Sequence, residues 1–155
     1  MEKIFIDANS FIYFLSDAEQ KAEHVQKILQ DKDYDLHTSY PVLNEVKFRL
    51  LINKAIGELK TTKKYALIKF INGNEKLRIS VIGRYVKFFI NIASIIKLIE
   101  MNDETEKIAC SIIMENGLLP TDASIAAMMK LNGISKILTS DSDFRKIRGI
   151  EIIEI

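Results

Sequence analysis

Two short apolar runs do most to limit what this chain can become: Ile4-Phe5-Ile6 and Ile137-Leu138-Thr139. Each is continuous rather than alternating, the pattern of a strand covered on both faces. Each is followed by acid, Asp7 after the first and Asp141 and Asp143 after the second. Helical segments separate the strand-like runs, and strands joined through helices imply parallel βαβ units. The expectation is an α/β chain, a three-layer α/β/α sandwich around a central five-stranded, mainly parallel sheet. Its 155 residues suit one domain spanning 1–155.

The remaining elements follow from period and punctuation. Strands are expected over 35–38, 95–99 and 150–155, and helices over 10–15 and 18–30, the latter capped by Ser16 or Asp17. Ser39 reads as the cap of a helix with Pro41 in its first turn, ending at a break over 56–60 around Gly57. A helix over 61–71 follows. Leu77, Ile79 and Val81 alternate with Arg78 and Ser80 and read as a strand, before a helix over 84–93. Further helices are expected over 104–115, ended by Gly117, and over 123–131, with Thr121 as cap. His37 reads as a half-buried strand residue. Cys110 lies among Ile108, Ala109, Ile112 and Ile113 and reads as a buried, inert thiol.

Cysteine and histidine are too scarce for several function classes. One Cys excludes an internal disulfide, and with only His24 and His37 beside it no zinc-type cluster exists. The start MEKIFID has no signal-peptide pattern, and Lys or Arg breaks every long apolar stretch. A cytoplasmic protein without a membrane span is expected. Net charge is +1, yet residues 46–97 hold twelve Lys and Arg against two acids. A basic middle between acidic flanks suits a polyanion partner, or equally a set of solvated helix faces.

Four acidic spots recur in similar settings. Asp7 and Asp141 each follow an apolar strand, Asp122 opens a helix, and Glu45 lies early in one between Val42, Leu43 and Val46. Alone, Asp7 reads better as a helix N-cap, and Glu45 as an exposed helix glutamate. Together they occupy positions that converge over the carboxyl edge of a parallel sheet, where open α/β sheets bind ligands. Clustered carboxylates repel and need compensation. An oxygen-only donor set suits Mg²⁺ or Mn²⁺, and beside a basic surface the natural substrate is a phosphodiester. There is no GxxxxGK[ST], GxGxxG or GxSxG motif. An aspartyl-phosphate enzyme would want a second Asp two residues beyond Asp7, where Asn9 stands.

FIDANSFIY, SYPVLNEV, LLPTDASIAA and TSDSDF occur in this order along nearly the whole chain. In this the sequence resembles the PIN-domain family, and in size the VapC-type toxins of toxin–antitoxin pairs. The resemblance implies a Mg²⁺- or Mn²⁺-dependent endoribonuclease with metal-binding and catalytic roles at Asp7, Glu45, Asp122 and Asp141, assisted by Asp143. Ala8 stands where the family often has Thr or Ser, leaving Asn9 or Ser10 as the polar helper, with Thr139 a further substrate-positioning candidate. Lys63 and Lys64 in the basic middle are expected to bind RNA. An antitoxin and a homodimer are the expected protein partners, through apolar surface at Phe48, Leu51, Ile52, Phe70 and Phe88. The competing expectations are a non-catalytic RNA- or partner-binding domain and an RNA-processing nuclease without antitoxin.

Overall fold

The computed structural model describes residues 1–15 and 19–155. Five strands, β1 (Glu2–Ile6), β2 (Tyr34–Ser39), β3 (Ile96–Ile99), β4 (Lys136–Thr139) and β5 (Glu151–Glu154), form one sheet in the order β3-β2-β1-β4-β5. Every pairing is parallel. The two apolar runs occupy the centre, β1 in the middle and β4 beside it, as continuous apolar strands should. Ile4, Phe5, Ile6, Ile137 and Leu138 are all fully buried, each large side chain worth roughly 1.5–3 kcal/mol.

Seven α-helices lie among the described residues: α1 (Ala8–Leu15), α2 (Glu19–Gln30), α3 (Tyr40–Leu59), α4 (Lys64–Gly73), α5 (Glu75–Ile92), α6 (Asp103–Asn116) and α7 (Pro120–Leu131). The chain divides into two compact units, Met1–Leu43 with Ile96–Ile155, and Asn44–Ile95.

In the first unit β1 connects to β2 in one direction, whereas β3 connects to β4 back across the sheet. Right-handed crossovers, the general rule for parallel strands, place α1 and α2 on one face and α6 and α7 on the other. This makes three layers. Asn102 caps α6 with a reciprocal box: Thr105 donates its amide to Asn102 Oδ1 at 2.9 Å, and Asn102 donates its own to Thr105 Oγ1 at 3.3 Å. Gly117 ends the helix at φ 67°, a left-handed position glycine adopts freely.

The second unit is helical. Ala55, Leu67, Ile71 and Leu77 form its buried cluster, with Leu51, Ile52, Ile56, Phe70 and Val81 packed around them. No helix among the described residues is long and apolar enough to cross a membrane.

Several local expectations are corrected. The strand expected at Leu77–Val81 is the first turns of α5. Asn74 Oδ1 accepts the Leu77 amide at 3.0 Å, and Arg78 Nη1 donates to the Ile71 carbonyl at 2.7 Å. The buried residues Leu77, Tyr85, Phe88 and Ile92 recur at helical spacing, while Ile79 points to solvent. The break at Gly57 is absent, since that glycine has open space around it and α3 runs on to Leu59. Lys60, at φ 52°, turns the chain instead.

Thr121 does not cap α7; the cap position is Leu119, with Pro120 at the first helical position. Ser39 is the last residue of β2, and its hydroxyl caps nothing. Cys110 is exposed, because Thr105, Ala109 and Ile112 set the buried face of α6. His37 is buried rather than half-buried. Phe88 is buried as well and leaves the candidate contact surface, whereas Phe48 remains half exposed. The proposed caps Ser16 and Asp17 lie outside the described residues.

Candidate active site

Asp7 and Asp141 follow neighbouring central strands and meet through one side chain. The Thr139 hydroxyl donates to Asp7 Oδ2 at 2.7 Å, and Thr139 Oγ1 in turn accepts the Asp141 amide at 3.0 Å. The register explains this. Ile6 pairs with Leu138, so one residue further Asp7 and Thr139 stand level at the carboxyl ends of β1 and β4. The Asp7 amide also donates to the Leu138 carbonyl at 3.2 Å, carrying the ladder to the site.

The Asp7 carboxylate is 5% exposed. Burial pushes its pKa above the usual carboxylate range, and the charge of Asp141 adds to the rise. Hydrogen bonds from the Thr139 hydroxyl and the Ala8 and Asn9 amides act against it but do not cancel it. Asn9 Nδ2 also reaches Asp7 Oδ2 at 3.3 Å. Ser10 is fully buried, and its hydroxyl donates to the Leu138 carbonyl at 2.7 Å. Its proton ties the turn after β1 to β4 and is not presented to a ligand.

Asp141 also caps the short 3₁₀ turn Ser142–Lys146, its Oδ1 accepting the Asp143 amide at 2.8 Å. Asp143 itself pairs with Lys146 Nζ at 2.8 Å. Asp122 is half-buried in the first turn of α7. Just past the other end of that helix the Asn132 carbonyl accepts Lys3 Nζ at 2.8 Å, beside the start of β1. The Asp122 end of α7 is therefore turned towards the finish of the strands. Glu45 lies in the helical unit, in the second turn of α3, 3.4 Å from Arg49 Nη1.

Among the described residues no three His, Cys, Asp or Glu side chains are gathered into a metal-holding group. What the fold brings together is a pair, Asp7 and Asp141, bridged by Thr139. Their oxygen-only chemistry fits a hard divalent cation. So does the raised pKa of Asp7, since a buried carboxylate beside a second acid is stabilised in its charged form by nearby positive charge.

Lys63 and Lys64 are exposed at the start of α4, in the helical unit. Two other cations escaped the reading of the sequence. Lys21 and Arg145 line a cavity of about 300 Å³ with Thr139, Ser140 and Asp141. The Lys21 ammonium lies 4.2 Å from the centre of the Tyr13 ring, and Arg145 pairs with Glu154. Both fall outside the basic middle, so counting charge along the chain gave no signal for them.

The family model described as PIN domain matches residues 4–150. Ribonuclease VapC2 of Methanocaldococcus jannaschii is 30% identical to this chain, over 99% of it and 94% of the relative. Ribonuclease VapC6 of the same organism is 29% identical, over 97% and 96%. Among solved structures, a toxin-antitoxin complex from Klebsiella pneumoniae contains a chain matching 98% of this one over 99% of its own length, at a TM-score of 0.64 and 15% identity.

Proposed function

The chain belongs to the PIN domain family, and from that premise we propose that it is a divalent-metal-dependent endoribonuclease, the toxin of a toxin–antitoxin pair. The observation that carries the reading is the Asp7–Thr139–Asp141 arrangement at the ends of the two central strands. It agrees with the ribonuclease names of the relatives and with the toxin–antitoxin complex whose fold the chain shares. Residues 1–155 act as one nuclease domain in this reading.

Asp7 and Asp141 are the first ligands of Mg²⁺ or Mn²⁺, with Asp122 completing the set and Asp143 assisting. When bound, such a cation supplies an acidified water and neutralises charge developing on a phosphate. Thr139 holds the Asp7 carboxylate in place, and Asn9 supports it from the first turn of α1. Lys21 and Arg145, on the cavity beside Asp141, attract RNA phosphates to the reacting end. Lys63 and Lys64 add a wider basic surface. Acting on RNA, the protein works in the cytoplasm.

An antitoxin, and a second copy in a homodimer, would bind exposed apolar side chains of the helical unit such as Phe48, Tyr65, Ile79 and Ile90. A non-catalytic RNA-binding domain is the reading to beat, favoured by the capping role of Asp141. The deciding experiment incubates structured and single-stranded RNA with wild type and Asp7→Asn in Mg²⁺, Mn²⁺ or EDTA. Cleavage by wild type alone, lost in EDTA, is expected. Equal cleavage by both proteins would refute the metal-nuclease reading.

A further inference from the structure

Ser39, the last residue of β2, has a fully buried hydroxyl that forms no hydrogen bond. Buried hydroxyls are nearly always paired, because losing water without a replacement partner is unfavourable. Its place in the sheet is informative. β1 pairs Phe5 with His37, so two residues on, the same register sets Ser39 level with Asp7. Residues two apart on a strand share a face, and neighbouring strands lie about 4.8 Å apart.

Asp7 therefore stands in a row between two hydroxyl residues, Thr139 on β4 and Ser39 on β2. Thr139 already donates to Asp7 Oδ2 at 2.7 Å. Thr38, one residue before Ser39, uses its hydroxyl on the Ile6 carbonyl at 2.9 Å. Of these three hydroxyls only that of Ser39 has no acceptor.

We propose that Ser39 is a positioning residue for cation capture at Asp7, its hydroxyl bonding the Asp7 carboxylate from the β2 side when a divalent cation is bound. Bonds from both flanks hold a carboxylate in one orientation, and groups behind a ligand in this way tune metal affinity. The inference rests on the metal-dependent reading above. It also separates capture from folding. Among the described residues the Ser39 hydroxyl meets no partner, so its removal breaks no hydrogen bond within the chain.

The test is titration of Mg²⁺ into wild type and Ser39→Ala by calorimetry, with melting temperatures in EDTA. Expected are an unchanged or higher melting temperature in EDTA and a loss of Mg²⁺ affinity of about tenfold. If wild type binds Mg²⁺ and Ser39→Ala binds it equally well, the role of Ser39 is overturned while the metal reading stands. If wild type binds neither Mg²⁺ nor Mn²⁺, both fall together. Should Ser39→Ala fail to fold, Ser39→Cys, close in size and a poor donor, takes its place, and wild-type affinity in that variant overturns the proposal.

Discussion

Thr139 and Asp7 are joined at 2.7 Å across adjacent strands, and the same Thr139 oxygen accepts the amide of Asp141 at 3.0 Å. One buried side chain thus sets the direction of one acid and the backbone of another. Thr139→Val keeps the shape and removes both bonds. A loss of about 1–3 kcal/mol is expected from the unpaired groups left behind, together with loss of RNA cleavage. Thr139→Ser should retain most of both. Urea denaturation and a cleavage assay on the two variants check this.

Asp7→Asn separates stability from activity. Burial disfavours the Asp7 carboxylate in the folded chain, with the charge of Asp141 adding to the effect. Without divalent metal the neutral amide should stabilise the fold by roughly 0.5–2 kcal/mol, while kcat falls by orders of magnitude. Thermal melts in EDTA and single-turnover cleavage give the two numbers. A less stable Asp7→Asn would mean that the hydrogen bonds to the carboxylate outweigh its burial.

The pH dependence of stability in EDTA should have two arms. The folded-state pKa of Asp7 is raised from 3.8, so between 3.8 and that higher value the folded chain binds more protons than the unfolded one. Stability there falls as pH rises. Asp35 is shifted the other way, chiefly by its bond to Lys97. Its contribution is present above 3.8 and is lost as pH falls through its lowered folded value. Melting temperature should peak close to 3.8, where both contributions are present, and Asp7→Asn should flatten only the arm at higher pH.

Changing Lys63 and Lys64 together to Ala should weaken RNA binding and reduce the slope of log affinity against log salt by at most about two. Both side chains are exposed, so the melting temperature should not move. Filter binding at several salt concentrations measures the slope. Unchanged affinity at low salt would remove these lysines from the RNA surface.

The sheet was legible because its central strands are uniformly apolar, a pattern no exposed element shares. Asp7 and Asp141 were legible for the same reason, as the first acids beyond those runs. The helical unit was harder. Leu77 to Val81 alternates for five residues, and over so short a span alternation does not separate strand from helix. The longer spacing through Phe88 and Ile92 decides it. Cys110 was misplaced because it stands next to Ala109 in sequence, yet one residue turns a helix by about 100° and carries it off the buried face. The unbonded hydroxyl of Ser39 had no sequence signal, since a serine before Tyr-Pro reads as a cap.

The outer edge of β5 offers its backbone to any strand that could lie alongside. It is four residues long, Glu151-Ile152-Ile153-Glu154, with a glutamate at each end. A second copy pairing there antiparallel, centred on the two isoleucines, would set each Glu151 opposite a Glu154. Two pairs of like charges would then face each other at side-chain contact distance. The symmetric sequence of this strand makes β5 a poor seam for antiparallel self-pairing in that register.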